Sequence, residues 1–168
     1  MDRRSLITAA ALAGSALIVP ATAEAQGAAS ILDHYAAALS AHDMVAFADL
    51  FAEDYTNHQV SAATGPPPTG APAMSPKRGS VAFFAARLAG MPDLKVTIEA
   101  QVITADKVAA SFVYTGTHGG TYFGIAPTGR PLRFTSCDIF RVQNGKLAEH
   151  WGMGDIAGIL AQLKAPAT

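Results

Sequence analysis

The pattern of apolar and polar positions first divides the chain into helical stretches. From Ala28 to Asp54 apolar residues recur at helical spacing, which predicts two helices separated by a break at residues 40–43. Asp43 is the expected N-cap of the second helix, since its side chain can accept hydrogen bonds from the first free N–H groups. A third amphipathic stretch predicts a helix over about Gly79 to Leu88.

After residue 93 the hydrophobic period changes to two, which is typical of strands. The predicted strands cover Leu94 to Thr104, Val108 to Thr117, Leu132 to Val142 and Leu147 to Met153. Asn144-Gly145 marks a hairpin turn between the last two, and Asp155 is placed to cap a short final helix. Helices followed by an antiparallel meander predict an α+β fold with a curved sheet packed on N-terminal helices. A sheet of this kind encloses a cavity that suits a ligand.

A proline-rich segment lies between the third helix and the elements before it. Residues Val60 to Lys77 are predicted to form a long loop, because the run TGPPPTGAP at 64–72 can form neither a helix nor a central strand. Loops of this length are usually lids, binding loops or disordered segments.

The first 27 residues have the features of an export signal peptide. Arg3 and Arg4 form a basic start, and the apolar stretch from Leu6 to Val19 is shorter than a membrane span. Cleavage is expected near Ala25, within an A-x-A signal. The paired arginines resemble a twin-arginine signal, and the alternative is an ordinary Sec signal. We expect a periplasmic or secreted protein without a membrane span.

Composition indicates one globular domain over residues 28–168, with 50% hydrophobic and 15% charged residues in the full chain. A formal net charge of −1 argues against a nucleic-acid partner. The single cysteine, Cys137, excludes an intrachain disulfide and a cysteine-based metal site. The spacing of His58, His118 and His150 matches no compact metal motif, so no metal is expected.

Three motifs in order resemble the SnoaL-like polyketide cyclase family, also called ester cyclases, in the superfamily of nuclear transport factor 2 and ketosteroid isomerase. They are MPDL at 91–94, GTHGGTYFGIAPTGRPLRF at 116–134 and DIFRVQNGKLAEHW at 138–151, and the resemblance extends over about residues 31–164. It implies a cone-shaped α+β barrel, often a homodimer, with a cofactor-free pocket for a small apolar carbonyl compound.

The function that this resemblance implies is acid/base chemistry on such a compound, without a cofactor. Cyclases of the family close a ring by intramolecular aldol condensation, and isomerisation or hydrolysis would use similar groups. The alternative is an exported binding protein of the same fold that performs no chemistry.

Asp138 is the first candidate catalytic residue. It shares a predicted strand face with Phe134 and Phe140, and a carboxylate on an apolar face is unusual. The alternative interpretation is a structural ion pair with an arginine on a neighbouring strand.

His150 is the second candidate, and its position depends on the hairpin. A two-residue turn places Asp138 opposite Trp151, whereas a three-residue turn with a bulge places it opposite His150. The resemblance favours the second register and hence a dyad in which Asp138 orients His150 as a base. The alternative is a surface histidine beside Glu149.

The family pattern is not fully retained. Its acid/base aspartate falls at Gly152 and its partner histidine falls at Asp138, so the cyclase mechanism does not transfer residue by residue. His118 matches a family histidine and is the third catalytic candidate, with a turn histidine bonded to backbone as the alternative. Asp155 is explained as a helix cap rather than a substitute acid.

The remaining pocket candidates are polar or aromatic side chains. They comprise Asn57, His58, Tyr35, Tyr114, Phe134, Phe140 and Trp151. Asn57 and His58 follow the second predicted helix, where the superfamily often has polar pocket residues. The alternatives are a loop polar pair for these two and ordinary core packing for the aromatics.

Overall fold

The computed structural model describes residues 23–59 and 74–165. Most of the predicted signal peptide and residues 60–73 of the predicted loop lie outside the described residues. The helices are α1 (Ala23–Ala41), α2 (Met44–Asp49), α3 (Pro76–Gly90) and α4 (Ile156–Lys164). The strands are β1 (Phe51–Asn57), β2 (Lys95–Ile103), β3 (Lys107–Thr117), β4 (Pro131–Gln143) and β5 (Lys146–Gly154). None of these helices is long and apolar enough to cross a bilayer.

The strands form one curved sheet in the order β1-β5-β4-β3-β2. Neighbours are antiparallel except β1, which runs parallel to β5. Helix α1 packs against β2 and β3, and α3 packs against β1. On β3 and β4 every second side chain faces this buried side, including Phe112, Tyr114, Phe134 and Phe140. The predicted α+β fold with a curved sheet on helices is confirmed.

The helix caps follow from short polar side chains. The Asp43 carboxylate accepts from the N–H groups of Val45 and Ala46, and Asp155 caps α4 by accepting from Gly158 N–H. Both predicted caps are confirmed. The third helix begins earlier than predicted, because Ser75 caps it and Pro76 occupies its first position, where the missing N–H has no cost.

The second predicted helix was too long. It ends at Asp49, and the residues from Phe51 onward form strand β1 on the sheet edge. The buried residues Phe51 and Tyr55 are four apart, a spacing that fits one face of a helix and one face of a strand equally well. Parallel pairing with β5 decides in favour of the strand.

Neither predicted hairpin register is correct. The turn is the two-residue form, with Asn144 and Gly145 both at positive φ, as a type I′ turn requires. A bulge at Ala148 then adds one residue to β5, so that Asp138 pairs with Gly152. Between the pairs Val142–Leu147 and Arg141–Glu149, β5 advances by two residues while β4 advances by one. Beyond the bulge, the pairing of the two strands is therefore shifted by one residue from that of a two-residue hairpin without a bulge. His150 is thereby on the same face as Asp138, two residues from its direct partner.

Candidate active site

A cavity of about 430 Å³ lies between the concave face of the sheet and helix α3. Its walls are mainly aromatic, and they include Tyr35, Phe51, Tyr55, Phe83, Phe84, Tyr114 and Phe140. Its polar lining includes Asn57, Ser80, Arg87, Ser136, Asp138 and His150. Four of the sequence candidates for substrate contact, Tyr35, Asn57, Tyr114 and Phe140, therefore border one space together with two of the catalytic candidates.

Asp138 and His150 form a hydrogen-bonded pair on the cavity wall. His150 Nε2 lies 2.8 Å from Asp138 Oδ1, and both residues are buried. The imidazole stacks on the ring of Phe140, with 4.8 Å between centroids. The structure thus brings together the two residues that the sequence proposed as a dyad, and it pairs Asp138 with a histidine rather than an arginine.

Gly152 makes this diagonal pairing possible. A Cβ at residue 152 would lie 2.1 Å from Asp138 Oδ1 and 2.4 Å from His150 Nε2, far inside van der Waals contact. The two side chains meet over the bare backbone of the residue directly opposite Asp138. The absence of a side chain at this position is therefore a requirement of the pair.

Asn57 fixes the orientation of the His150 ring. The backbone N–H of Gln59 donates to Asn57 Oδ1 at 2.9 Å, which identifies the oxygen of this amide. His150 Nδ1 lies 3.1 Å from the same oxygen and must therefore donate to it. Nδ1 therefore carries a hydrogen. Nε2 faces Asp138 Oδ1, and the hydrogen bond between these two atoms requires a second proton on one of them.

Hydrogen bonds extend from the pair in two directions along the cavity. On one side Asn57 Nδ2 donates to Ser80 Oγ at 3.4 Å, and Ser80 Oγ lies 3.4 Å from the Tyr55 hydroxyl. On the other side Ser136 Oγ donates to Asp138 Oδ2 at 2.5 Å. Ser136 also lies 3.3 Å from the hydroxyl of Tyr114. Asp138 is thus held through both oxygens.

The cavity tyrosines are neutral hydrogen-bond donors at physiological pH. Burial raises the pKa of Tyr35 well above its ordinary value, and nearby Tyr114 and Asp138 add to the effect. Burial also raises the pKa of Tyr114, against the opposing influence of Arg87. For Tyr55, burial raises the pKa to about 12. Each hydroxyl therefore keeps its proton.

Arg87 is the functional candidate that the sequence reasoning missed. Its side chain is buried on α3 and lines the cavity. Burial lowers the pKa of Arg87, but Tyr122 and Tyr114 outweigh that effect and the pKa lies above its ordinary value, so the guanidinium stays charged. The sequence held one signal: Arg87 follows Phe83 and Phe84 by four and three residues, which places it on the apolar face of a predicted helix.

His118, the third catalytic candidate, does not line the cavity. It is fully buried in the loop after β3, where Thr128 N–H donates to its Nδ1 at 3.2 Å. The backbone of His118 is bonded to Arg130 and Gly129. This is the turn histidine that the sequence left as the alternative. Its Nε2 has no hydrogen-bond partner within the described part of the chain.

Three further pocket candidates lie away from the cavity lining. His58 stacks on Trp151 with 4.5 Å between centroids, and its Nε2 lies 2.7 Å from Glu149. Trp151 points to the opposite face of the sheet from His150. Phe134 is buried on the concave face but packs behind the lining, stacked on Tyr114 at 5.1 Å.

Within residues 23–59 and 74–165, no group of three or more His, Cys, Asp or Glu side chains is arranged to hold a metal ion. The chemistry that this site can perform with its own groups is proton transfer. Asp138 can accept a proton, and tyrosine hydroxyls and Arg87 can donate hydrogen bonds to developing negative charge.

The chain is similar to a known protein family and to several solved structures. The family model for SnoaL-like polyketide cyclases matches residues 29–163. IdmH from Streptomyces antibioticus, provisionally named a polyketide cyclase, is 29% identical, with a TM-score of 0.68 and coverage of 82% of this chain and 98% of that one. A comparison with curated proteins gave no match.

Two other solved structures share the fold at lower identity. A SnoaL-like protein from Jannaschia sp. CCS1, provisionally named a polyketide cyclase, is 17% identical with a TM-score of 0.70, covering 89% of this chain and 99% of that one. AclR from Streptomyces galilaeus, provisionally named a hydroxylase, is 22% identical with a TM-score of 0.69, covering 86% and 85%.

Proposed function

Because this chain belongs to the SnoaL-like polyketide cyclase family, we propose that it is an enzyme that uses Asp138 and His150 for acid/base chemistry on a carbonyl compound. Family membership supports a cyclase or isomerase type of function in general. The proposed reaction is an aldol cyclisation, an isomerisation or a hydrolysis without a cofactor. The observation that carries the proposal is the buried carboxylate–imidazole pair on the wall of a largely aromatic cavity.

Asp138 is the better candidate for the group that accepts the substrate proton. Both ring nitrogens of His150 are engaged, Nδ1 with Asn57 and Nε2 with Asp138, so neither is free to meet a ligand. The carboxylate has acceptor positions beyond the bonds to His150 and Ser136. This reverses the roles suggested by the sequence: His150 orients Asp138.

The first chemical step is removal of a proton from the carbon next to a carbonyl. Asp138 takes the proton, the C–H electron pair forms the enolate double bond, and negative charge develops on the carbonyl oxygen. The Tyr55 hydroxyl is available as a donor to that oxygen, because it has no acceptor among the described residues. The enolate carbon then attacks a second carbonyl in a cyclisation, or recovers a proton elsewhere in an isomerisation.

The departure from the family pattern is consistent with this assignment. The positions of the family histidine and aspartate, 138 and 152, are direct cross-strand partners here. The carboxylate now stands at 138, and the histidine stands at 150, diagonally across Gly152. The chain thus retains one carboxylate and one imidazole at the same point of the cavity. Here the carboxylate is on β4 and the imidazole is on β5, which is the reverse of the family pattern.

The experiment that tests this proposal is α-proton exchange of a pocket-sized ketone in D₂O. 2-Acetylnaphthalene is incubated with the protein, and loss of the methyl ketone proton signal is followed by NMR. Wild type should exchange these protons well above the buffer rate, and Asp138→Asn should lose at least about 100-fold of that acceleration. Asp54→Asn, an exposed carboxylate on β1, is the matched control and should behave as wild type.

A second candidate function is ligand binding without chemistry. It is favoured by Gly152, which occupies the position of the family's acid. Saturable binding of 2-acetylnaphthalene with exchange at the buffer rate in wild type would support this function and reject the enzymatic one.

We also propose that the protein is exported and acts outside the cytoplasm. Support comes from the basic, apolar and A-x-A segments at the N-terminus. Replacement of Arg3 and Arg4 by lysine should block export through the twin-arginine route. Unchanged periplasmic yield of that variant would indicate the Sec route.

A homodimer through the convex face of the sheet is the proposed assembly. This face exposes Val102, Ile139 and Met153, at 66%, 45% and 77% of their surface. Light scattering should give a dimer mass for wild type and a monomer mass for Met153→Asp. A monomeric wild type at micromolar concentration would refute the assembly.

A further inference from the structure

Arg87 is a buried cation without a counter-ion in the part of the chain that the structure describes. It is only 3% exposed, and no carboxylate lies within ion-pair distance of it among residues 23–59 and 74–165. A buried charge without an opposite charge or full hydrogen bonding is costly, so its retention at a cavity wall points to a ligand that completes it.

Aromatic rings hold the guanidinium in place. Its carbon lies 4.6–5.0 Å from the ring centroids of four residues, Phe83, Phe84, Tyr114 and Phe134. These cation–π contacts offset part of the cost of burial. They also restrict the movement of the guanidinium before a ligand arrives.

Most of the hydrogen-bonding capacity of Arg87 is unused. Nε donates to the Tyr122 hydroxyl at 3.2 Å. The two terminal nitrogens donate to no described residue, yet neither is sealed in the core as His118 Nε2 is. Arg87 is one of the residues that line the cavity. Its two terminal nitrogens carry four N–H donors that have no acceptor among residues 23–59 and 74–165.

We infer that the ligand of this cavity carries a carboxylate that binds the terminal nitrogens of Arg87. The planar fork of the guanidinium matches a carboxylate in a two-point hydrogen bond. One cation among aromatic walls balances one negative charge, whereas a phosphate would bring a larger charge and need more donors. The inference rests on the proposed function only in taking this cavity as the substrate site.

The position of Arg87 relative to the acid/base pair defines the substrate class further. Tyr114 contacts the guanidinium with its ring and lies beside Ser136 with its hydroxyl, and Ser136 is bonded to Asp138. A ligand whose carboxylate binds Arg87 therefore extends along Tyr114 toward the side chain of Asp138. The substrate is accordingly a flat apolar keto acid, with its free carboxylate at one end and its reacting carbonyl at the other.

The test compares an aromatic acid with its ester by fluorescence titration. 2-Naphthoate should bind wild type at least about tenfold more tightly than methyl 2-naphthoate, because the ester has no charge. Arg87→Met should lose about tenfold or more in naphthoate affinity while the ester affinity changes less than about threefold. Arg78→Met, an exposed position on the same helix, should bind both probes as wild type does.

Equal affinity of wild type for acid and ester would overturn the inference, as would unchanged naphthoate affinity in Arg87→Met. If Arg87→Met does not fold, Arg87→Lys decides: it keeps the charge but not the fork, and naphthoate affinity equal to wild type would refute two-point binding. A failure of ketone exchange with intact, Arg87-dependent binding would reject the proposed enzyme and leave this inference standing.

Discussion

Replacement of Gly152 by alanine tests the geometry of the candidate site most sharply. The added Cβ would lie 2.1 Å from Asp138 Oδ1 and 2.4 Å from His150 Nε2. Neither group can retreat easily, since Ser136 holds Asp138 at 2.5 Å and Asn57 holds His150 at 3.1 Å. The methyl group must therefore separate the two side chains and break their hydrogen bond.

The expected cost is large for a single methyl group. Breaking a buried hydrogen bond and overpacking its surroundings should lower the free energy of unfolding by about 3 kcal/mol. For a domain of this size that corresponds to a fall of about 10 °C in Tm, measured by thermal unfolding followed by circular dichroism. The ketone exchange activity should fall with the pair.

Gly154→Ala is the matched control on the same strand. Its nearest neighbour would be Ile156 Cδ1 at 3.9 Å, an ordinary contact, and alanine there should be neutral or stabilise the strand by up to about 1 kcal/mol. A Gly152→Ala protein with the same Tm as the Gly154→Ala control would refute the diagonal pair of Asp138 and His150.

Three further changes have defined outcomes. Tyr55→Phe should lower the exchange rate about tenfold or more and leave naphthoate affinity unchanged, if its hydroxyl assists the developing enolate. His118→Ala should lower the free energy of unfolding by about 2–4 kcal/mol in urea titration, yet leave the exchange rate of the folded fraction intact. The backbone and hydroxyl of Thr117 lower the pKa of Asp93 below its ordinary 3.8, so Asp93→Ala should cost up to about 1 kcal/mol at pH 7. This difference in the free energy of unfolding should shrink as the pH falls below 3.8 and through the lowered pKa, because protonated Asp93 no longer stabilises the fold. A constant difference down to pH 2 would contradict the assignment.

The sequence predicted those parts of the fold that depend on local pattern. Period-two alternation located β2 to β5, and short polar side chains identified the caps at Asp43 and Asp155. Strand β1 was missed, because Phe51 and Tyr55 fit both periodicities and only pairing with β5 distinguishes them. Tertiary contacts of that kind leave no trace in a single sequence.

The sequence identified the acid/base residues of the site, but not the strand register and contacts that bring them together. Asp138 and His150 were paired for the wrong reason, since no sequence feature marked the bulge at Ala148 that sets the register. Gly152 was interpreted only as a missing acid, although its lack of a Cβ is what lets the pair meet. Arg87 was overlooked because a helix with an arginine near its end ordinarily places that charge in solvent.

The central claim is that Asp138 and His150 act as one acid/base unit on a ligand in the cavity. The most direct test is a double-mutant cycle on ketone exchange with Asp138→Asn, His150→Gln and the two changes combined. If the two residues act as a unit, each single variant should fall close to the buffer rate and the double variant should be no slower than Asp138→Asn alone. Independent losses that add in the double variant, or exchange at the wild-type rate in Asp138→Asn, would contradict the account.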